Sequence, residues 1–112
     1  MIKLFIDDIR DPCADDFIVV RSYGYAVNYM RKNGCPDFIS FDHDLGEANE
    51  LTGFDIAKWM VERDLNDKGK FIPKDFKFYV HSANPAGSAN INGLLNNYLE
   101  VRNVRRTKQS ST

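Results

Sequence analysis

Cysteine is scarce in this chain: only Cys13 and Cys35 occur among 112 residues. Their spacing suits neither a metal knuckle nor a redox pair, which excludes a disulfide framework and fits a reduced cytosolic protein with two small apolar thiols. Long apolar runs are also missing. None approaches the ~20 residues needed to span a bilayer, so no membrane partner is expected. The opening MIKLFIDDIR lacks the basic region and apolar stretch of a secretory signal peptide. Nor does one sign of charge dominate. With 15 Lys+Arg against 16 Asp+Glu the net charge is −1, which gives no global argument for nucleic acid or membrane. Internal repeats and low-complexity stretches are absent.

What remains is one ordinary globular domain, 43% hydrophobic and 28% charged. Its charge is unevenly spread. Residues 1–50 hold 5 basic and 10 acidic side chains, and residues 51–112 hold 10 and 6. The acidic excess includes two short clusters, Asp7-Asp8 and Asp42-His43-Asp44, each placed directly after an apolar run, Ile2–Ile6 and Phe38–Phe41. If those runs are neighbouring parallel strands, up to four carboxylates meet at one crevice and repel one another unless a cation sits among them. Oxygen ligands without thiolate favour Mg²⁺ or a similar ion such as Mn²⁺, and Mg²⁺ usually comes with phosphate.

The rest of the chain alternates strand and helix signals. Ile9–Asp16 reads as loop and Phe17–Val20 as a second strand. Ser22 caps a helix from about Tyr23 to Lys32 that Asn33-Gly34 stops. Asp37–Phe41 is a third strand, and 46–51 a polar loop. Thr52-Gly53-Phe54-Asp55 has the form of a capping box. Its helix runs to about Leu65, with Phe54, Ala57, Met60, Val61 and Leu65 inward. Phe76–Val80 is a fourth strand, and Gly87–Leu99 an amphipathic helix with Ile91, Leu94, Leu95, Tyr98 and Leu99 on one face. From Arg102 a basic polar tail follows, either a solvated end or a nucleic-acid contact, with Val101 and Val104 able to form a short edge strand. This order argues a parallel α/β sheet with its ligand beyond the carboxyl ends of the strands.

Several polar groups then share one rim. Arg10 suits a phosphate clamp or an ion pair with its neighbours. His43 suits general acid–base work near neutrality, or a rim residue bonded to a carboxylate. His81-Ser82-Ala83-Asn84-Pro85-Ala86-Gly87 follows the fourth strand, and the helix after it offers N–H groups and a positive dipole end to phosphate.

At these residues the chain resembles a response-regulator receiver domain. KLFIDDIR is similar to the first strand with its paired metal-binding acids, DFISFDHDLG to the third strand with its phospho-accepting Asp, and FYVHSANP to the fourth. The resemblance implies a receiver-like (flavodoxin-like) three-layer parallel sheet with Asp7 and Asp8 on Mg²⁺, Asp42 as the acceptor-like carboxylate and Ser82 on the phosphoryl group. No Lys-Pro follows Val80, so the fifth strand of a receiver is missing and the fold is truncated or degenerate at its C-terminal strand–helix unit. Domain 1–100 and tail 101–112 are the expected parts. The set DD-x-R, S-x-DHDLG, TG and HSANP-x-G resembles more closely the cyclic-phosphate processing receiver domain family, found notably in phage and bacterial sequences.

That second resemblance implies metal-assisted action on a cyclic phosphate of nucleotide or RNA-end origin, in the cytoplasm of a bacterial cell or phage-infected host. The expected metal ligands are Asp7, Asp8, Asp42 and Asp44, with Asp44 alternatively orienting His43. Asp42, His43 and His81 are the expected catalytic groups, His81 giving a proton to the leaving oxygen. Arg10, Ser82 and Asn84 are expected to hold the phosphate. The rival readings are a non-catalytic module that binds a cyclic nucleotide or phosphorylated partner, and a degenerate signalling receiver.

Overall fold

The computed structural model describes residues 1–46 and 51–110, with side chains to residue 104. Most of the loop expected over 46–51 and the side chains of Arg105, Arg106 and Lys108 thus lie outside the described residues. Four short strands, β1 (Lys3–Ile6), β2 (Phe17–Val20), β3 (Phe38–Phe41) and β4 (Lys77–Val80), form one parallel sheet in the order β2-β1-β3-β4. Three helices, α1 (Tyr23–Asn33), α2 (Gly53–Asn66) and α3 (Pro85–Ser110), follow β2, β3 and β4. This is the receiver-like α/β arrangement.

All three helices share one core with one face of the sheet. Leu4, Ile6, Ile39 and Phe41 are fully buried there against Ala26 and Met30 of α1, Ile56, Ala57 and Met60 of α2, and Ile91 and Leu95 of α3. Each of these side chains larger than alanine contributes about 1.5–3 kcal/mol, so this face carries the stability of the sheet. The reason for the one-sidedness lies in the connections. The steps β2 to β3 and β3 to β4 move the same way across the sheet, and right-handed crossovers put their helices on the same side. The step β1 to β2 moves the opposite way, but its connection is the loop over Ile9–Asp16 and carries no helix. The other face, bearing Phe5, Phe17, Phe38, Ser40 and Tyr79 by strand alternation and register, has no helix over it among the described residues.

Local chemistry sets the helix starts. Ser22 accepts from the Tyr25 N–H at the head of α1. Thr52 and Asp55 form a reciprocal capping box at the head of α2, with Asp55 Oδ2 2.7 Å from the Thr52 N–H. Asn84 Oδ1 accepts from the Gly87 N–H at 3.0 Å, and Pro85 takes the first helical position.

Three expectations in the second half of the chain need correction. Leu65 is 56% exposed, and Asp64 takes the inward place beside it, fully buried. Its Oδ1 accepts from the Phe71 and Ile72 N–H groups, and its Oδ2 from the Tyr98 hydroxyl at 2.5 Å and Arg102 Nη1 at 3.3 Å. Arg102 therefore begins no solvated tail. It is buried and also donates to the Ile72 carbonyl at 2.7 Å. Val101 and Val104 lie in α3, which continues to Ser110, and form no edge strand. The buried carboxylate supplies the partner that keeps the chain helical past residue 100.

Candidate functional site

The sheet ladder runs one residue beyond each of three strands. The N–H groups of Asp7, Asp42 and His81 donate to Val20, Ile6 and Phe41 carbonyls at 3.2, 2.9 and 2.9 Å. These three residues thus stand in one row at the carboxyl ends of β1, β3 and β4, on the helix-free side by alternation. One ligand atom from each lies within 4.8 Å of the others.

Asp7 is fully buried. Its Oδ1 accepts from the Ile9 and Arg10 N–H groups at 3.0 and 2.8 Å, and its Oδ2 faces His81 Nε2 at 3.0 Å and Arg10 Nε at 3.4 Å. Burial alone would raise its pKa, but those donors and the Arg10 charge prevail and the carboxyl is held below its ordinary value. Asp42, also buried, goes the other way. Burial and the adjacent Asp7 charge raise it, against opposing contributions from His81, a hydrogen bond from Ser82 and Arg10. One carboxyl of a close pair resisting ionisation is what two like charges brought together in a buried place produce.

His81 is fixed on three sides. Its ring stacks on Phe5 at 4.5 Å and 4°, its Nδ1 lies 2.7 Å from Ser40 Oγ, and its Nε2 meets Asp7. A carboxylate only accepts, so Nε2 carries the proton while Asp7 is its partner. The Ser40 hydroxyl both donates and accepts, so it holds either tautomer. His81 can therefore serve as donor to Asp7 or, with its proton moved to Nδ1, as a nitrogen ligand. Both of its nitrogens are committed to the protein here.

His43 sits at the same rim with a different partner. Its Nδ1 lies 2.9 Å from Asp44 Oδ1, which leaves Nε2 as the basic nitrogen. The close approach of two helices positions it. A Cβ on Gly87 would fall 2.3 Å from His43 Cγ, and one on Gly53 would fall 2.0 Å from the Asp42 carbonyl oxygen. The Gly53 N–H also donates to the His43 carbonyl at 2.8 Å. The two glycines of the TG and NP-x-G motifs are thus the points where α3 and α2 press onto the acidic segment.

The remaining expected residues fall around this centre. Asp8 and Asp44 are not among the three residues whose ligand atoms converge; Asp44 is exposed and engaged with His43. Arg10 is half exposed and pairs with Asp7. Ser82 donates to Asp42 and accepts from the Asn84 N–H at 3.1 Å, and Asn84 caps α3. Two contributors were given no role from the sequence: Ser40, which stands there only as the first residue of S-x-DHDLG, and Phe5. A lone hydroxyl inside the apolar run FISF was the signal for the first; nothing in the sequence marks the second.

The fit of a divalent ion rests on this donor set: two carboxylates of opposed pKa behaviour and one imidazole, within 4.8 Å. Such a mixed oxygen and nitrogen set suits Mn²⁺ at least as well as Mg²⁺. Among known proteins, the family model of the cyclic-phosphate processing Receiver domain matches residues 2–97. No curated protein and no solved structure matches the chain.

Proposed function

The chain belongs to the cyclic-phosphate processing receiver domain family, and we propose that it opens a cyclic phosphodiester hydrolytically with the help of a divalent metal. The observation that carries this reading is the convergence of Asp7, Asp42 and His81 within 4.8 Å at the carboxyl ends of three strands. Asp7 and Asp42 would hold the metal, with His81 as a third ligand. When bound, the metal neutralises phosphate charge and lowers the pKa of water.

The chain's own residues supply the rest. Asp44 keeps the proton of His43 on Nδ1, so Nε2 takes a proton from the attacking water. The water oxygen bonds to phosphorus, one ring P–O bond breaks, and the departing oxygen takes a proton from solvent at this open rim. The product is a phosphomonoester. Arg10, half exposed and paired with Asp7, would turn its guanidinium to the phosphate if Asp7 were engaged by the metal. Ser82 keeps Asp42 oriented, and Asn84 holds the head of α3, whose dipole favours an anion.

Incubation with a panel of cyclic phosphates, with and without Mg²⁺ and Mn²⁺, tests the reading. Metal-dependent conversion to monoester is expected, falling by at least ~100-fold in His43→Ala and lost in Asp42→Ala. Tight binding of the cyclic compound with no product would leave a binding module instead.

A further inference from the structure

Beyond the rim, β4 continues the same uncovered side with Tyr79 and then Lys77. Ser40 pairs in register with Tyr79, and Phe38 with Lys77. Both β4 residues therefore stand on the face that bears Phe5, away from the helices. Tyr79 is 62% exposed on this strand face. Phe5, its neighbour across β3, is already roofed by the His81 imidazole and only 9% exposed. Tyr79 is thus the aromatic surface left open beside the rim.

Resting on the reading of the rim as a phosphate site, we propose that the substrate is a nucleoside phosphate whose base stacks on Tyr79. Alternate residues on one strand face are about 6.6 Å apart, which matches the reach from a ribose phosphate to its own base. The same step further along, Lys77 presents an exposed cation where the preceding phosphate of an RNA strand would run. His81, Tyr79 and Lys77 thus form a track of anion site, ring and cation along a strand that no other strand covers on its far side among the described residues. Base stacking on an exposed sheet aromatic is tolerant of base identity, because every base offers a π face. A free cyclic nucleotide and an RNA end share this chemistry, and Lys77 distinguishes them.

The test is equilibrium dialysis of the full chain in Mn²⁺ with a nucleoside 2′- or 3′-monophosphate, a short single-stranded RNA with a terminal phosphate, and base-free glycerol phosphate. Tyr79→Ala is expected to weaken the two nucleotide ligands about 10-fold and to leave glycerol phosphate unchanged. Tyr79→Phe restores binding. If the ligand is an RNA end, Lys77→Ala weakens only the oligonucleotide and lowers its salt dependence; an equal oligonucleotide and mononucleotide response assigns the site to the free nucleotide. Binding in Tyr79→Ala equal to wild type, or equal losses with and without a base, would overturn the proposal. So would a wild-type dimer that Tyr79→Ala dissociates, since a second copy would then cover this face. Dialysis needs no turnover, so base-dependent binding without hydrolysis sinks the enzymatic reading alone. Equal hydrolysis of nucleoside and base-free cyclic phosphates sinks this one alone.

Discussion

Asp42 and Asp7 respond to acid in opposite directions, and that opposition gives the proposed metal site a readout that needs no substrate. A carboxyl whose pKa is raised on folding costs stability once it ionises, so Asp42 weakens the metal-free protein as pH rises above the ordinary Asp value. Asp7, lowered on folding, contributes stability above its ordinary value that is lost as pH falls through its folded value. In thermal melts without metal, Asp42→Asn is therefore expected to be more stable than wild type at neutral pH, with the difference vanishing below the ordinary Asp range. Mn²⁺ at about 100 times its Kd should stabilise wild type by about 2.7 kcal/mol, and Asp42→Asn should lose most of that gain. His81 adds a second test at this scale. If its imidazole is a ligand, His81→Ala weakens Mn²⁺ more than Mg²⁺, read by titration, because only the nitrogen donor distinguishes them strongly.

Among the elements, the heads of α2 and α3 are where glycine has a steric task rather than a conformational one. In an exposed helix interior, Gly→Ala stabilises by about 1 kcal/mol, and Gly93→Ala, with open space around its position, should do so in denaturant titration. Gly53→Ala should instead destabilise by about 1–3 kcal/mol, because its Cβ meets the Asp42 carbonyl and backbone must shift. Gly87→Ala meets a ring that can swing; turnover should fall at least ~10-fold with a smaller loss of stability, as His43 leaves Asp44. The sequence showed the strands, α1, α2 and the start of α3 to a residue or two, since caps and periodicity are local signals, but it ended α3 near Leu99 where the helix runs on to Ser110. It did not show Asp64 facing inward, because its partners Tyr98 and Arg102 lie more than thirty residues away. The three converging residues were all visible as acids and a histidine at strand ends. Asp44 takes the second of the two roles the sequence offered it, orienting His43, and the Asn84 cap on α3 is a local contact to the Gly87 N–H.

For the molecule as a whole, stability is concentrated on one side and at both poles of α3. At one pole α3 presses on His43; at the other, Arg102 closes the buried Asp64 cluster. Removing one partner of a buried ion pair costs about 3–5 kcal/mol, so Arg102→Ala, and equally a chain cut at residue 100, should melt well below wild type. Asp64→Ala should cost more than Arg102→Ala, since it also strands the Phe71 and Ile72 N–H groups. Phosphate chemistry at the distant rim should survive Arg102→Ala at temperatures where the protein stays folded.

The place of β1 at the middle of the sheet has a temporal meaning. Its residues precede both of their strand partners in the chain, and Lys3 must await Phe38, thirty-five residues on, to gain its inner neighbour. Until then Leu4 and Ile6 have only the β2 segment beside them and no complete core to enter. Refolding from denaturant should accordingly be slow for a domain of this length, as pairings between remote segments demand, and crowded synthesis should favour association of nascent chains.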